Sequence, residues 1–340
     1  MLLVIVRRLG QTVLVLFGVS IIVFSLLHIT PGDAVDVMFA GENVSPEQRE
    51  VYRQQLGLDQ PLIQQYFSYV AGAVQGDLGT SIRRGTPVTE IIGSTVPATI
   101  ELTLAATLVA IIIGVPVAII SALRQGSAWD RGGSVMALFG ISMPSFWLGI
   151  MLILLLSITV DLFPASGRIG LESGGLQQIT GFLLIDALLQ GNWAAFGSGL
   201  RHILLPAITL GAAITATLSR VLRSGLLEVK GQDYIHALRA RGLRSPRVIA
   251  HMIRNALPAT VIVMGVRIGS LLGGAIVVEV VFGWPGLGRL VVDAIQNRDF
   301  PLVQGAVLVM ALLFVAVNFI TDIIQAWLDP RVKLAGGASQ

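Results

Sequence analysis

Long apolar stretches separated by short polar segments form the main pattern of this chain. A helix needs about 20 mostly apolar residues to cross the hydrocarbon core of a bilayer. Six stretches meet or approach that length: residues 9–29, 102–123, 134–160, 203–218, 258–278 and 303–320. The third is long enough to tilt or to continue into an interfacial helix, and the fourth needs neighbours to extend it. The pattern predicts an all-α, polytopic membrane protein with six transmembrane helices.

Charged residues between these stretches predict the orientation of the helices. Arg7 and Arg8 precede the first stretch, and residues 219–257 carry many basic residues against only Glu228 and Asp233. The first long loop is instead mixed to acidic. Because cytoplasmic loops are enriched in Lys and Arg, we expect both termini and the 219–257 loop in the cytoplasm. An even number of spans agrees with this.

The same pattern divides the chain into four parts. They are the N-terminus with the first span (1–29), an extracytoplasmic loop (30–99), a five-span core that contains the cytoplasmic loop (100–328) and a cytoplasmic tail (329–340).

The first long loop is predicted to be a small folded unit. Ser45 and Gln48 form a capping box at the start of one helix, and a second helix is predicted over residues 61–74 from its apolar spacing. Arg83 and Arg84 follow among turn-forming residues and are expected to be exposed. This loop either contacts an extracytoplasmic partner, with Arg83 and Arg84 in the contact, or is a lid over its own helices.

The segment 161–201 is Gly-rich and is expected to lie mostly outside. Its apolar run GFLLIDALL is too short to span a bilayer, so we interpret it as an interfacial helix.

The chemistry of common enzyme sites is missing from the sequence. The two lysines, Lys230 and Lys333, have no P-loop context, so the chain has no such ATP site. The sequence contains no cysteine, and its four histidines form no zinc-binding HExxH pattern. The sequence also lacks a basic stripe interleaved with aromatic residues, the pattern that would suggest nucleic-acid binding. We expect no catalytic site, no metal site and no cofactor in this chain.

A basic loop between the fourth and fifth apolar stretches contains a short predicted helix with Tyr234, Ile235 and Leu238 on one face. Gly242 is suited to end that helix in a left-handed conformation, and Ser245 is expected to cap the helix that follows. The short helix would lie across the cytoplasmic end of the bundle. It either docks a partner or rests on anionic lipid headgroups.

The fifth apolar stretch carries Gly265, Gly269 and Gly273 at a spacing that allows close helix packing. Arg267 lies about 200° around the helix from Gly265. A cation at this depth lines a water-filled path or pairs with an acidic residue of the same bundle or of a partner. Four prolines that interrupt or open spans are candidate hinges, although static bundles also contain kinks. They are Pro116, Pro144, Pro206 and Pro258.

Motifs along almost the whole chain carry a resemblance to a known family. They are HITPGD (28–33), LGLDQPLIQQY (56–66), GDLGTSI (76–82), SMPSFW (142–147), FPASGR (163–168), HILLPAITLG (202–211), RARGL (239–243), RNALP (254–258), VVFGWPGLGRL (280–290), RDFPLVQG (298–305) and DPRV (329–332). With these, the chain resembles the inner-membrane permeases of bacterial ABC importers in the dipeptide, oligopeptide, nickel and glutathione group. It is most similar to dipeptide permeases of the B-type subunit class.

The resemblance implies a type I ABC importer permease fold, in which the basic loop holds a coupling helix that sits in a groove of an ATPase. The matching positions are His236, Ala237, Leu238 and Gly242, although the general Glu-Ala-Ala pattern is met only at Ala237 and the later glycine. With the helix face described above, the expected ATPase contacts are Tyr234, Ile235, Ala237, Leu238 and Gly242.

The resemblance also implies partners and a function. We expect a second homologous permease, two ATPase chains that bind ATP and Mg²⁺, and an extracytoplasmic substrate-binding protein that delivers short peptides. The chain would form half of the path through the bacterial inner membrane, with Arg267 facing the cargo. The same machinery for nickel chelates, glutathione or another small solute is the alternative. More distant alternatives are a self-sufficient secondary transporter, a channel or a membrane enzyme.

Overall fold

The computed structural model describes residues 2–29, 45–55, 59–170 and 174–328. The predicted tail (329–340) and much of the first loop lie outside these residues. The helices are α1 (Leu2–Ile29), α2 (Pro46–Gln55), α3 (Leu62–Val74), α4 (Val88–Leu123), α5 (Ala128–Ser142), α6 (Ser145–Leu152) with a π-helical continuation (Ile153–Thr159), α7 (Leu183–Leu189), α8 (Trp193–Lys230), α9 (Asp233–Ala240), α10 (Ser245–Gly274), α11 (Ile276–Val281), α12 (Leu287–Gln296) and α13 (Phe300–Leu328). The all-α prediction is confirmed for the described part of the chain.

Four helices, α4, α8, α10 and α13, are long and apolar enough to cross a membrane. A fifth crossing is possible if α5 and the helical segment 145–159 count as one span, bent by 105°. The described apolar part of α1 covers residues 10–25 and is shorter. By length and composition the described residues therefore support four or five spans rather than the six predicted.

Two predicted spans were placed too narrowly. Helix α4 begins at Val88 rather than at residue 102, so residues 88–99, expected in the outer loop, form its first turns. Helix α8 covers Trp193–Lys230 rather than residues 203–218. In both cases the helix continues past charged side chains, because a charge interrupts a hydropathy pattern without ending a helix. Glu101 in α4 is such a charge, and it is paired in the structure.

The third predicted span is broken at Pro144. This proline has no N–H to donate, and it disfavours the helical conformation of the residue before it. Met143 is accordingly extended, with φ −79° and ψ 128°. Pro116, Pro206 and Pro258 lie inside continuous helices instead. Of the four predicted hinge prolines, only Pro144 coincides with a break.

The centre of the bundle is the contact between α4 and α8. Every fourth residue of α4 along this contact is buried, and nearly all are small: Ala98, Leu102, Ala106, Ala110, Gly114, Ala118 and Ala122. A Cβ atom on Gly211 of α8 would lie 2.9 Å from the carbonyl oxygen of Ala106, and one on Gly114 would lie 3.2 Å from that of Thr215. The two backbones approach so closely that glycine is required at these positions.

The capping box predicted in the first loop is confirmed. The backbone N–H of Gln48 donates to Ser45 Oγ (3.3 Å), and that of Ser45 donates to Gln48 Oε1 (3.2 Å). The second predicted helix is α3, which packs on α1. The hydroxyl groups of Tyr66 and Ser20 lie 2.8 Å apart in this contact.

The apolar run GFLLIDALL contains helix α7, and a buried aspartate folds the preceding loop back onto it. Asp186 accepts hydrogen bonds from the hydroxyl and the backbone N–H of Thr180 (2.6 and 2.8 Å) and from the N–H groups of Ile179 and Gly181. Burial raises the pKa of the Asp186 carboxyl, but these hydrogen bonds outweigh it and hold the pKa below its usual range. The loop is therefore held around an ionised carboxylate.

An ion pair joins α4 to the two segments before α8. Arg168 Nη2 lies 2.6 Å from Glu101 Oε2 and also donates to the carbonyl of Gly181 (2.9 Å), while Glu101 Oε1 accepts from the N–H of Leu184 (2.8 Å). Both charged side chains are almost completely buried. Breaking such a pair by removing one partner is costly, because the other charge is left without compensation.

The motif VVFGWPGLGRL folds around another buried acid, Glu279. Glu279 belongs to α11 and is fully buried. Its carboxylate lies at the start of α12, where it accepts hydrogen bonds from Thr99 Oγ1 and the N–H of Arg289, both 3.0 Å. The N–H of Leu287 donates to Thr99 in turn (2.7 Å). The partial positive charge of a helix N-terminus stabilises an anion placed there. This packing explains two of the glycines in the motif, since a side chain on Gly286 would collide with the carboxylate and one on Gly288 with α11. The third, Gly283, has φ +58°, a conformation that favours glycine.

Gly288 provides the test of this packing. A Cβ atom there would lie 2.7 Å from Ile276 Cα, whereas one on Gly93 of α4 would meet nothing within 4 Å. We expect Gly288→Ala to lower the free energy of unfolding by about 1–3 kcal/mol through overpacking, and Gly93→Ala to leave it unchanged or raise it. Thermal unfolding of the purified variants in detergent measures both. Equal unfolding temperatures for the two variants would contradict this account.

Candidate partner-docking site

The corner between α9 and α10 ends α9 in a Schellman motif. The N–H of Gly242 donates to the carbonyl of Arg239 (2.9 Å), and the N–H of Leu243 donates to that of Leu238 (3.2 Å). Gly242 has φ +75°, a conformation that favours glycine. The apolar side chains of Leu238 and Leu243 pack against the same buried cluster, as this motif requires. The predicted left-handed end of the helix is therefore confirmed.

The predicted cap of the following helix is wrong. Ser245 is the first residue of α10 rather than the residue before it, and no side chain caps the helix. Arg244 occupies the capping position in an extended conformation. Pro246 lies in the first turn, where its missing N–H leaves one fewer donor to satisfy.

Ile235 anchors α9 to the bundle. Its side chain is fully buried and lies in a cluster with Leu222 and Leu226 of α8 and Val248 and Met252 of α10. The predicted contact face of Tyr234, Ile235 and Leu238 is thereby corrected. Helix α9 is amphipathic, and its apolar side packs against its own bundle. Ile235 therefore faces the interior of its own chain and cannot reach a partner. Leu238 is partly buried against the same cluster.

The opposite side of α9 is open. Tyr234, His236, Ala237, Arg239 and Gly242 are all exposed. Partial burial raises the pKa of the Tyr234 hydroxyl, which therefore remains a neutral hydrogen-bonding group. A helix resting on lipid would turn its apolar face outward, whereas this helix turns it inward. The geometry favours docking of a partner over a resting place on headgroups.

A second ion pair joins helices α8 and α5. Arg223 of α8 forms two hydrogen bonds to Asp130 at the start of α5, from Nε to Oδ1 (2.7 Å) and from Nη2 to Oδ2 (2.8 Å). Gly126 N–H also donates to Asp130 (2.9 Å). Arg223 directly follows Leu222, which belongs to the same buried cluster as Ile235. Sequence reasoning missed this pair, because no local pattern connects residues so far apart in the chain.

Helices α10 and α13 meet at the predicted glycine face. Gly265 lies against Thr321, and a Cβ atom on Gly269 would lie 3.2 Å from the ring of Phe314. The contacts of Gly273 fall outside what the structure describes. Arg267 is exposed on another side of α10, and its guanidinium has no ion-pair or hydrogen-bond partner among the described residues.

At the other end of the bundle, the turn with Arg83 and Arg84 is attached to the start of α13. The Ser81 hydroxyl donates to the carboxylate of Asp299, which also accepts from the N–H of Ile82 (3.2 Å). Arg83 Nε donates to the carbonyl of Asn297 (3.1 Å). The Arg84 side chain is exposed and has no such bond within the described ranges. Arg84 is therefore the freer of the two predicted contact residues.

The part of the chain that the structure describes contains no group of three or more His, Asp or Glu side chains that could hold a metal ion. Its buried acids each accept hydrogen bonds from groups that hold segments of the chain together; they are Glu101, Asp130, Asp186, Glu279 and Asp299.

Comparison with known proteins gives a consistent result along the chain. A family model described as "Binding-protein-dependent transport system inner membrane component" matches residues 114–334, and its N-terminal companion matches residues 1–103. The dipeptide transport system permease protein DppB of Escherichia coli (strain K12) is 41% identical over 332 residues, 97% of this chain and 98% of the relative. The di/tripeptide transport system permease protein DppB of Pseudomonas aeruginosa (strain UCBPP-PA14) is 42% identical over 330 residues, with the same coverage of 97% and 98%.

A solved structure of the MetNI methionine ABC transporter in inward-facing conformations is also similar. It is 18% identical, with a TM-score of 0.49, over 68% of this chain and 93% of that one.

The corner at Gly242 can be tested directly. Gly242→Val forces a β-branched side chain into a left-handed conformation, which we expect to cost about 1 kcal/mol or more. Because the corner is rich in arginine, trypsin should then cut between residues 239 and 247 faster than in the native protein. Gly231→Val is the matched control, since Gly231 lies in the same loop with φ −82°. Equal cleavage rates for the two variants would rule out strain at the corner.

Proposed function

This chain belongs to the family of binding-protein-dependent transport system inner membrane components, and from that premise we propose that it is one permease subunit of an ATP-driven importer for short peptides. It is a transport subunit and not an enzyme. The observation that carries the peptide assignment is similarity over almost the full length to permeases named for dipeptide and di/tripeptide transport. The exposed α9 corner supports the importer part of the proposal, although not its cargo, because an importer of this kind needs a surface for its ATPase.

The proposed assembly contains this chain, a second homologous permease, two ATPase subunits and an extracytoplasmic substrate-binding protein. ATP and Mg²⁺ bind to the ATPase chains. In the proposed topology, six spans place both termini in the cytoplasm of a bacterium, with α1 as the first span and the bent α5–α6 unit as the third. The fold is that of a type I ABC importer permease. Along the chain, the proposed core (100–328) follows the proposed outer loop (30–99) and precedes the proposed cytoplasmic tail (329–340).

We propose that α9 is the coupling helix. Tyr234, Ala237 and Gly242 would contact the ATPase, while Ile235 transmits movement inward, because it is packed between α8 and α10. ATP binding would draw the two coupling helices of the permease pair together and open the path to the outside. The binding protein would then release its peptide into the path.

Arg267 is the proposed counter-charge for the peptide carboxylate. Helix α10 is less apolar than α4 and α13, and its exposed surface includes His251, Asn255 and Ser270. A guanidinium exposed to lipid at this depth costs a few kcal/mol. Since no described residue of this chain pairs with Arg267, a water-filled path shared with the second permease accounts for its position.

The proposed function is tested by reconstitution. The permease pair with its ATPases in proteoliposomes should take up a labelled dipeptide only with ATP inside and the binding protein outside. We expect Arg84→Glu to weaken stimulation of ATP hydrolysis by the binding protein, because a contact charge is reversed, and to leave basal hydrolysis intact. Arg84→Lys, which keeps the charge, is the control. Uptake without ATPases would identify a secondary transporter instead.

Arg267 generates a separate prediction. Arg267→Ala should leave the complex assembled and able to hydrolyse ATP, yet reduce dipeptide uptake, because the carboxylate loses its counter-charge. Arg267→Lys should keep part of that uptake, since the charge remains while the planar fork of donors is lost. Initial uptake rates and ATP hydrolysis are measured on the same vesicles. Normal uptake by Arg267→Ala would reduce this residue to a structural role.

A further inference from the structure

Four arginines surround the turn at Gly242, and none is neutralised. Arg239, Arg241, Arg244 and Arg247 are all exposed. Within the described residues no ion pair or side-chain hydrogen bond involves their guanidinium groups. In the whole stretch from residue 231 to residue 254, Asp233 is the only acid. The corner is thus a concentrated positive surface, defined here as the arginine corner.

The position of these charges relative to the helices is unfavourable for the isolated chain. The end of α9 suits cations, but Arg244 and Arg247 lie at the start of α10, where the positive end of the helix dipole favours anions. The first turn of α10 contains no acidic residue. An anion from outside the chain would therefore relieve both the mutual repulsion of the arginines and their conflict with the dipole.

The surroundings of the corner show which anion fits. Ile235 is buried, and Leu238 and Leu243 are partly buried against the same cluster, so these apolar side chains are engaged within the chain rather than projecting for insertion into lipid. Tyr234 is the only large apolar side chain of α9 that is exposed, at 36%. A rigid surface of guanidinium groups without an apolar anchor matches carboxylates on a folded protein, with which arginine forms paired, directional hydrogen bonds.

We propose that the arginine corner binds an acidic groove of the cytoplasmic ATPase, in which Asp and Glu side chains pair with Arg239, Arg241 and Arg244. This inference rests on the proposed function and adds to it the chemistry of the partner surface. Electrostatic pairing of this kind makes association fast and sensitive to salt. Arg247 extends the same positive surface along α10.

The test is a binding titration on the permease pair in nanodiscs of phosphatidylcholine alone, repeated in nanodiscs that also contain phosphatidylglycerol. Affinity for the purified ATPase is measured at about 0.1 M and about 1 M NaCl, between which the Debye length falls from about 10 Å to about 3 Å. Four proteins are compared: the native chain, the triple variant Arg239→Glu, Arg241→Glu, Arg244→Glu, the corresponding triple lysine variant, and Arg201→Glu at an exposed position near the start of α8. Thermal unfolding confirms that each variant is folded.

We expect the native affinity to fall about tenfold or more at high salt, as screening of several charge pairs requires. The glutamate variant should lose about tenfold or more at low salt and most of its salt dependence, because like charges then face each other. The lysine variant should keep the salt dependence, and Arg201→Glu should behave as the native chain.

Four results would overturn the inference. Native binding and native salt dependence in the glutamate variant would remove the arginines from the interface. A loss that appears only in nanodiscs with phosphatidylglycerol would assign the corner to anionic lipid headgroups. If the native chain binds no ATPase at either salt concentration, the proposed function fails and this inference fails with it. Loss of binding in Gly242→Val together with native binding in the glutamate variant would instead retain the coupling corner and reject its acidic partner.

Discussion

The close contact between α4 and α8 is the constraint on which the rest of the bundle depends. Inside a bilayer, apolar side chains gain little by leaving lipid for one another, so helix association relies on tight packing and on polar contacts. The small residues from Ala98 to Ala122 allow α8 to approach the backbone of α4, and Gly211 and Gly114 lie where the two backbones come closest. The other helices are placed around this pair.

Buried charges then fix the two ends of that central pair. At one end, Glu101 and Arg168 join α4 to the segments before α8, and Glu279 closes the α11–α12 turn around Thr99. At the other end, Asp130 and Arg223 join α5 to α8. Each pair connects elements far apart in the chain. Helix α9 and the outer turn are then attached by contacts of their own, through Ile235 and through the bonds of Ser81 and Ile82 to Asp299.

The α9 corner shows how a short amphipathic helix is attached to the bundle. Its apolar side packs through Ile235 against α8 and α10. Its polar side is exposed. The Gly242 turn concentrates the arginines outside while Leu238 and Leu243 stay inside. The residues that attach α9 to the bundle and the residues that it exposes thus lie on opposite faces of the same eight-residue helix.

Much of this protein was determined by its sequence alone. Apolar periodicity, the capping box at Ser45 and the turn glycine Gly242 act locally, and each predicted its element correctly. The family likewise followed from motifs that are contiguous in the chain. Span boundaries did not follow, because a charge such as Glu101 marks an apparent helix end until its partner Arg168 is placed beside it.

Only the tertiary structure decided which face of α9 is inside, since the periodicity of Tyr234, Ile235 and Leu238 defines a stripe but not what covers it. It also decided that Pro144 breaks a helix while Pro116, Pro206 and Pro258 do not. The physical reason is the same in each case: burial, pairing of charges and replacement of a lost hydrogen bond depend on neighbours that are distant in sequence. Local propensity predicts that a helix forms. Packing against those neighbours determines where the helix ends and which of its faces is exposed.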